Sequence, residues 1–437
     1  MAIDPGRRRW SLALSMAGLA PRLTAGLAAG LWAGPGRGHA AGAALDASGV
    51  ASIGDHGHTD GIGDLGYTDG RGGVGGTRLL TSWGETVQHP ERFLAGCLAA
   101  PGQAIVLPAR GHDLDWHPDD DGSAVVVARR PGDFLIRWDV ARGKVLAHHE
   151  CEDTTRFEGH FAFSADRELI YATETDLITG DGVIGIFDSR SLVRLDAWPC
   201  GGIGPHALAV LADGRLAVAV GGILTLPETG RVKRNLASMD PSLTLLDPRS
   251  GRLRSQYRLP DPFMSVRHIA EAADGTLAVA LQNEGRDPRP LLALLDGERL
   301  RYGDADDDLL ARCGGYAGDI TAFAGGFAVS CTRAGVMALW SRDGQPLGSF
   351  ETPRVCALAA HGARMVATGD AGDLWQIATA AGQQTGLIAG RPAVSVAGHR
   401  SLSVALDNHS RLPRSWPQIG PSSERVFSHR RPMAVRR

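Results

Sequence analysis

The sequence predicts an all-β fold, a seven-bladed β-propeller of the WD40/YVTN-like kind, on three observations. A motif headed by histidine recurs at intervals of roughly 46–48 residues, each copy carries short alternating strands separated by turns, and surplus strands near the N-terminus have no hairpin of their own. The 58 glycines among 437 residues supply the tight turns such a fold needs.

Four copies carry the repeat most clearly: GHDLDWHPDDDGSAVVVA from Gly111, GHFAFSADRELIYATE from Gly159, PHALAVLADGRLAVAVGG from Pro205 and RHIAEAADGTLAVALQ from Arg267. In each, a His opens an alternating apolar strand, an acidic turn usually ending in Gly follows, and a second strand of Val, Ala, Leu or Ile returns. Further strands, VIGIFD from Val183 and SLTLLDP from Ser242, end in Asp and a turn, so each unit has the four strands of one blade. The interval from His206 to His268 is stretched by an insertion from Leu226 to Pro241. Weaker copies start near Asp319, Val355 and Val394 and bring the number to seven. A pair of two-sheet sandwiches also uses short strands and turns, but a blade-length repeat through four copies favours the propeller. The last copy supplies only two clear strands. RLLTSW, FLAGCLA and QAIVLP, between Thr77 and Pro108, are therefore expected to complete the final blade and close the ring, which removes exposed sheet edges. The propeller is expected over residues 77–409.

The flanks read differently. Residues 1–40 resemble a twin-arginine signal peptide: Arg7, Arg8 and Arg9 precede Trp10, Ser11 and Leu12, and an Ala/Leu/Gly-rich stretch ends in Gly38, His39 and Ala40. Pro21 and Arg22 interrupt that stretch, which argues for cleavage and against a membrane anchor, so no transmembrane helix is expected in the mature chain. Residues 41–76 are rich in Gly, Asp and Thr, and GDHGHTDG recurs there as GDLGYTDG; two copies are too few for the calcium-binding nonapeptide stack, and the segment reads as a flexible linker. The tail over 410–437 has the composition of a disordered segment.

A net charge of -3, from 45 basic and 48 acidic residues interspersed along the chain, gives no basic field for a phosphate backbone, and nucleic acid is not an expected partner. Cys97, Cys151, Cys200, Cys313, Cys331 and Cys356 form no CxxC pair, which excludes a zinc ribbon or a thioredoxin-like motif and leaves them as small hydrophobes. No nucleophile elbow, Walker loop, HExxH or dinucleotide fingerprint is present.

The repeat itself supplies the candidate site. The first strand of each blade lines the central channel, so His112, His160, His206 and His268, at equivalent positions, are expected to point towards one another at one mouth. Imidazoles on rigid strands suit a transition metal, iron or copper, for which His160, His206 and His268 are the leading ligands. Glu174, Asp176, Gln282 and Glu284, at the ends of second strands, are expected on the same face, with Arg267 beside His268; that mixture also suits an anionic small molecule. The competing reading is structural, with each His bonding a neighbouring blade's backbone. His117, His148, His149 and His361 lack the repeat position and read as surface residues.

The strings PARGHDLDWHP, GHFAFSADRELIYATETD, GGIGPHALAVL, GGILTLPETGRVKRNLASMDPSL, CGGYAGD and LDNH, in this order, resemble a domain-of-unknown-function family of exported bacterial propeller proteins. Its members are often encoded beside imelysin-like proteins of iron uptake and a dihaem thiol oxidoreductase. The likeness runs over roughly residues 78–409, and it departs from the family's pattern at Thr175 and Val220, where Asn is usual, and at Asp319, where Ser is usual. The resemblance implies a periplasmic propeller, with iron-uptake proteins as partners. Together the observations lead to an exported propeller binding a metal or small ligand at its His-bearing mouth, an accessory role rather than an enzyme. A lactonase-like or redox enzyme using the same face, and a protein-interaction scaffold with no small ligand, are the alternatives.

Overall fold

The computed structural model describes residues 79–84, 92–98, 100–119, 121–230, 232–361, 364–369, 374–378 and 404–406. The expected signal peptide, linker and tail, and most of the repeat copy from Val394, lie outside the described residues. Within them the chain is all-β and propeller-like: six four-stranded antiparallel sheets and one of three strands, all but one of them built from strands consecutive in sequence.

The first full repeat shows how a unit forms. Gly111–Trp116, Ser123–Ala128, Phe134–Asp139 and Lys144–Glu150 pair in sequence order, from an inner strand to an outer one. Ser123–Ala128 is buried along its whole length because both of its faces are covered. Ala124, Val126 and Ala128 pack on one side with Leu80, Ala95 and Ile105, while Val125 and Val127 pack on the other with Phe157, Ile170 and Phe187. A strand covered on both faces reads as a continuous apolar run, and each buried Val stabilises the fold by roughly 1.5–3 kcal/mol. The outer strand Lys144–Glu150 has one covered face at most, and all its residues but Ala147 and His149 are exposed.

The same unit recurs with inner strands Thr155–Phe163, Pro205–Val210, Met264–Glu271, Asp319–Phe323 and Val355–His361, each packed on the inner strand before it. The N-terminal strands Leu79–Gly84, Phe93–Cys97 and Ile105–Leu107 pair with one another, with Leu79–Gly84 also taking Val404–Leu406 as its antiparallel partner. The insertion from Leu226 to Pro241 contributes two single-turn 3₁₀ segments. One helix, Asp307–Cys313, was not expected from the strand pattern; the Asp306 side chain caps it by accepting from the Leu309 N–H at 2.9 Å, and Gly314 ends it in the left-handed region.

No helix among the described residues is long and apolar enough to cross a membrane.

Candidate functional site

The inner strands begin irregularly, and that irregularity builds the site. Pairing with the second strand slips between Gly111 and Leu114, between Phe157 and Phe161, between Pro205 and Leu208, and between Val266 and His268. A bulge of this kind releases residues from the ladder and re-aims their side chains. His112, His160, His206 and Arg267 all fall inside such slips, and His268 closes the last.

The re-aimed rings converge. The His160 ring centroid lies 4.7 Å from those of His112 and His206 and 4.9 Å from that of His268, and His206 and His268 are also 4.9 Å apart. One ring nitrogen from each of His112, His160 and His206 lies within 4.8 Å of the other two, although the three residues come from three different sheets. Gly159 makes this approach possible. Its φ of +108° is a conformation that other residues rarely adopt, and a Cβ there would lie 2.6 Å from Cδ2 of His112.

Each of these three imidazoles keeps a buried nitrogen with no hydrogen-bond partner among the described residues: Nδ1 of His112, Nε2 of His160 and Nδ1 of His206. Their second nitrogens are not alike. His160 Nδ1 lies 3.2 Å from Oδ2 of Asp113, and His268 Nδ1 lies 3.2 Å from Oδ1 of Asp319. Both carboxylates are themselves held, Asp113 by the Leu114 N–H at 2.9 Å and Asp319 by the N–H groups of Ile320 and Leu358, each at 2.8 Å. A carboxylate behind an imidazole fixes the ring and its tautomer and raises its basicity as a ligand. Sequence reasoning missed both partners. Asp113 follows His112 directly in GHD, and Asp319 is the first residue of the inner strand of its own sheet.

Electrostatics favour neutral rings. Burial drives the His112 and His206 imidazoles well below their usual protonation range, and the neighbouring His160 adds to the effect; His268 is lowered for the same first reason, with Asp319 opposing it. A neutral ring keeps the lone pair that a metal needs.

The remaining expected residues are engaged elsewhere. Glu174 lies buried on the side of its strand facing the 111–150 sheet and is ion-paired with Arg194; burial still pushes its carboxyl up to about 7. Glu284 pairs with Lys233 of the insertion, Asp176 caps its own turn through the N–H groups of Ile178 and Thr179, and Gln282 donates through Nε2 to the Ala317 carbonyl at 2.8 Å. Arg267 does stand beside His268. Only 1% of it is exposed, and Nε, Nη1 and Nη2 have no hydrogen-bond partner among the described residues; burial and the neighbouring Arg130 push its guanidinium down to about 9.

His117 corrects an expectation. It is buried rather than at the surface, with Nε2 3.2 Å from the Ser189 carbonyl of the next sheet and its ring edge-on to Phe163 at 5.2 Å. The sheet-to-sheet histidine therefore stands at the far end of the inner strand, because the WHP turn folds it back against the neighbour. His149 is also half-buried, edge-on to Phe187 at 4.8 Å, whereas His148 is exposed.

Comparison with known proteins places this site in a family. The chain belongs to DUF1513. That family, described as a protein of unknown function, matches residues 105–412, a span that contains all four clustered histidines, both supporting aspartates and Arg267. No curated protein matches the chain. Among solved structures, the chain is similar to hydrazine synthase of Kuenenia stuttgartiensis, with a TM-score of 0.51 and 15% identity over 67% of this chain and 91% of that one. It is also similar to a chain in the structure of U3-55K, with a TM-score of 0.48 and 15% identity over 68% of this chain and 84% of that one. At such identity the first likeness shows an all-β, propeller-like fold and carries nothing about activity.

Proposed function

We propose that this chain is an exported propeller that holds a transition metal ion, iron or copper, at the head of its channel on His112, His160 and His206, with His268 beside them. The observation that carries the reading is the mutual approach of three imidazole nitrogens to within 4.8 Å, from three sheets, with a buried unpartnered nitrogen on each ring. Buried ring nitrogens left without partners are costly, and a bound cation repays that cost directly. Three imidazoles satisfy only part of a metal's coordination sphere, so a position remains open for an exogenous ligand. The Asp113 and Asp319 carboxylates supply the outer support that metal-bound imidazoles usually have.

The reading includes seven blades and a closed ring. The strand Val404–Leu406 supports it, since it packs against both Val355–His361 and Gly111–Trp116 while pairing with Leu79–Gly84. Location in the periplasm and an accessory role in iron uptake rest on the N-terminal signal and on the family resemblance.

Elemental analysis of the purified full chain, after exposure to iron, copper or zinc salts and desalting, tests the metal. We expect close to one equivalent retained by the native protein and none by the double variant His160→Ala/His206→Ala, with the β-sheet circular dichroism unchanged. A native chain that retains no metal, or a double variant that retains as much as native, overturns the reading. Retention should also fall on acidification, at a pH below the ordinary imidazole value of about 6.5 because burial lowers His112 and His206, once protonation takes the ligating lone pair.

A further inference from the structure

We propose that Arg267 is an anion receptor: it seats a small carboxylate beside the tri-histidine cluster, a role that deepens the metal reading. Arg267 is among the largest fully buried side chains of the protein, and none of its three guanidinium nitrogens has a hydrogen-bond partner among the described residues. A buried guanidinium stays charged, and a buried charge left unpaired is strongly destabilising.

The carboxylates closest in effect are already taken. Glu158 is 3.3 Å from Nη1 of Arg130 and accepts from the Thr175 hydroxyl at 2.7 Å, and Glu284 is ion-paired with Lys233. Each of these two carboxylates therefore already has a cation of its own, Glu158 in Arg130 and Glu284 in Lys233, and neither is paired with Arg267. Glu158 belongs to the sheet two before that of Arg267 in chain order and Arg130 to a loop of the sheet three before it, and both act on the guanidinium. His206 feels both arginines.

The backbone makes room for this side chain. Gly221, at the end of the second strand in the preceding repeat, lies against it: a Cβ there would be 3.1 Å from Nη1 of Arg267 and 3.2 Å from the Ser265 hydroxyl. That hydroxyl is occupied, donating to the Gly221 carbonyl at 2.6 Å. Arg267 thus has a fork of free donors and no acceptor to fill it among the described residues. A planar carboxylate matches that fork with two parallel hydrogen bonds, and the open coordination position of a neighbouring metal offers the same anion a second anchor.

The test uses the full chain and formate, acetate and oxalate as probes in isothermal titration, with chloride as the control. Native protein stripped of metal by a chelator is expected to bind at least one of the three carboxylates and not chloride, and reloading the metal is expected to tighten binding. Arg267→Met is expected to weaken it by roughly tenfold to a hundredfold, the worth of a charged hydrogen-bonded pair. Gly221→Ala, which keeps the charge but crowds Nη1, is expected to weaken it as well and guards against a methionine variant that fails to fold. Unchanged affinity in both variants, or no carboxylate binding by native protein in either metal state, overturns the proposal. His160→Ala/His206→Ala separates the two readings, since it should lose metal and keep the anion, whereas Arg267→Met should keep metal.

Discussion

Burying an imidazole is cheap only while it is neutral, and this sets the acid sensitivity of the site. His112, His206 and His268 are all lowered from their usual range, chiefly by burial. Above about pH 6.5 neither the folded nor the unfolded chain protonates them, and they contribute no pH dependence. Below it the unfolded chain takes up protons that the folded chain refuses, so stability falls as pH drops. The metal-free protein should show its urea midpoint declining from pH 7 to pH 5, and His206→Gln should flatten that slope; identical slopes in variant and native protein would show that the ring does not titrate on unfolding. The four histidines were legible in the sequence because repeat equivalence fixes a residue's place along a strand. The partners Asp113 and Asp319 were not, and neither was the burial of His117, because each depends on which neighbouring sheet a bulge or turn aims the side chain at. Glu174 shows the opposite limit: it lies near the end of its strand, but alternation along the strand puts it on the face of Ile170 and Ala172, packed towards the 111–150 sheet, where it pairs with Arg194.

Turns carry the most readable chemistry at the level of elements. In the first four full units the acidic hairpin turn works in one way, with Asp121, Asp166, Asp213 and Asp274 each accepting from the backbone N–H two residues on, at 2.9 to 3.2 Å. Between the Asp and that N–H stands a residue in the left-handed region: Gly122, Gly214 and Gly275 at φ of 75° to 85°, but Arg167 at 70° in the second unit. The turn demands this conformation whatever the residue. Gly275→Ala, with open space for its methyl, should therefore cost about 1 kcal/mol from backbone strain alone. Arg167→Ala should change stability by less than about half of that, because the strain is already present and its guanidinium makes only an exposed bond to the Pro118 carbonyl. Calorimetric melting of both variants checks the pair, and a larger loss at Arg167 would count against the turn argument. The helix Asp307–Cys313 escaped sequence reading for a related reason: at seven residues it gives too short a stretch for apolar periodicity to outweigh the strands on either side.

At the scale of the molecule, the question is how the chain avoids leaving a sheet face and a sheet edge open. Strands from the N-terminal side supply three of the four strands in the sheet that carries Val404–Leu406 as its innermost strand. Leu80, Ala95, Cys97, Ile105 and Leu107 from those strands share one apolar cluster with Leu114, Val126, Ile136 and Trp138 of the 111–150 sheet. Removing them would expose that cluster and also strip Val404–Leu406 of its only described hydrogen-bonding neighbour. Each large aliphatic removed from such a core typically costs about 2–5 kcal/mol, so losing several exceeds the stability of an ordinary domain. The sequence shows an imbalance, too few strands at one end and too many at the other, but not the order in which these strands pair. Deletion of residues 41–76, which removes only the Gly/Asp-rich segment, should leave the melting temperature almost unchanged. Deletion of residues 41–98 should abolish the cooperative melt and give an aggregating product, because the bare edge of Val404–Leu406 and the uncovered face beside it both invite pairing with other chains. Supplying residues 77–108 in trans as a peptide should then restore solubility, since the missing strands need only pair and pack. Two truncations with equal melting temperatures would mean that the N-terminal strands do not hold the last sheet together, and the closed ring would fall with them.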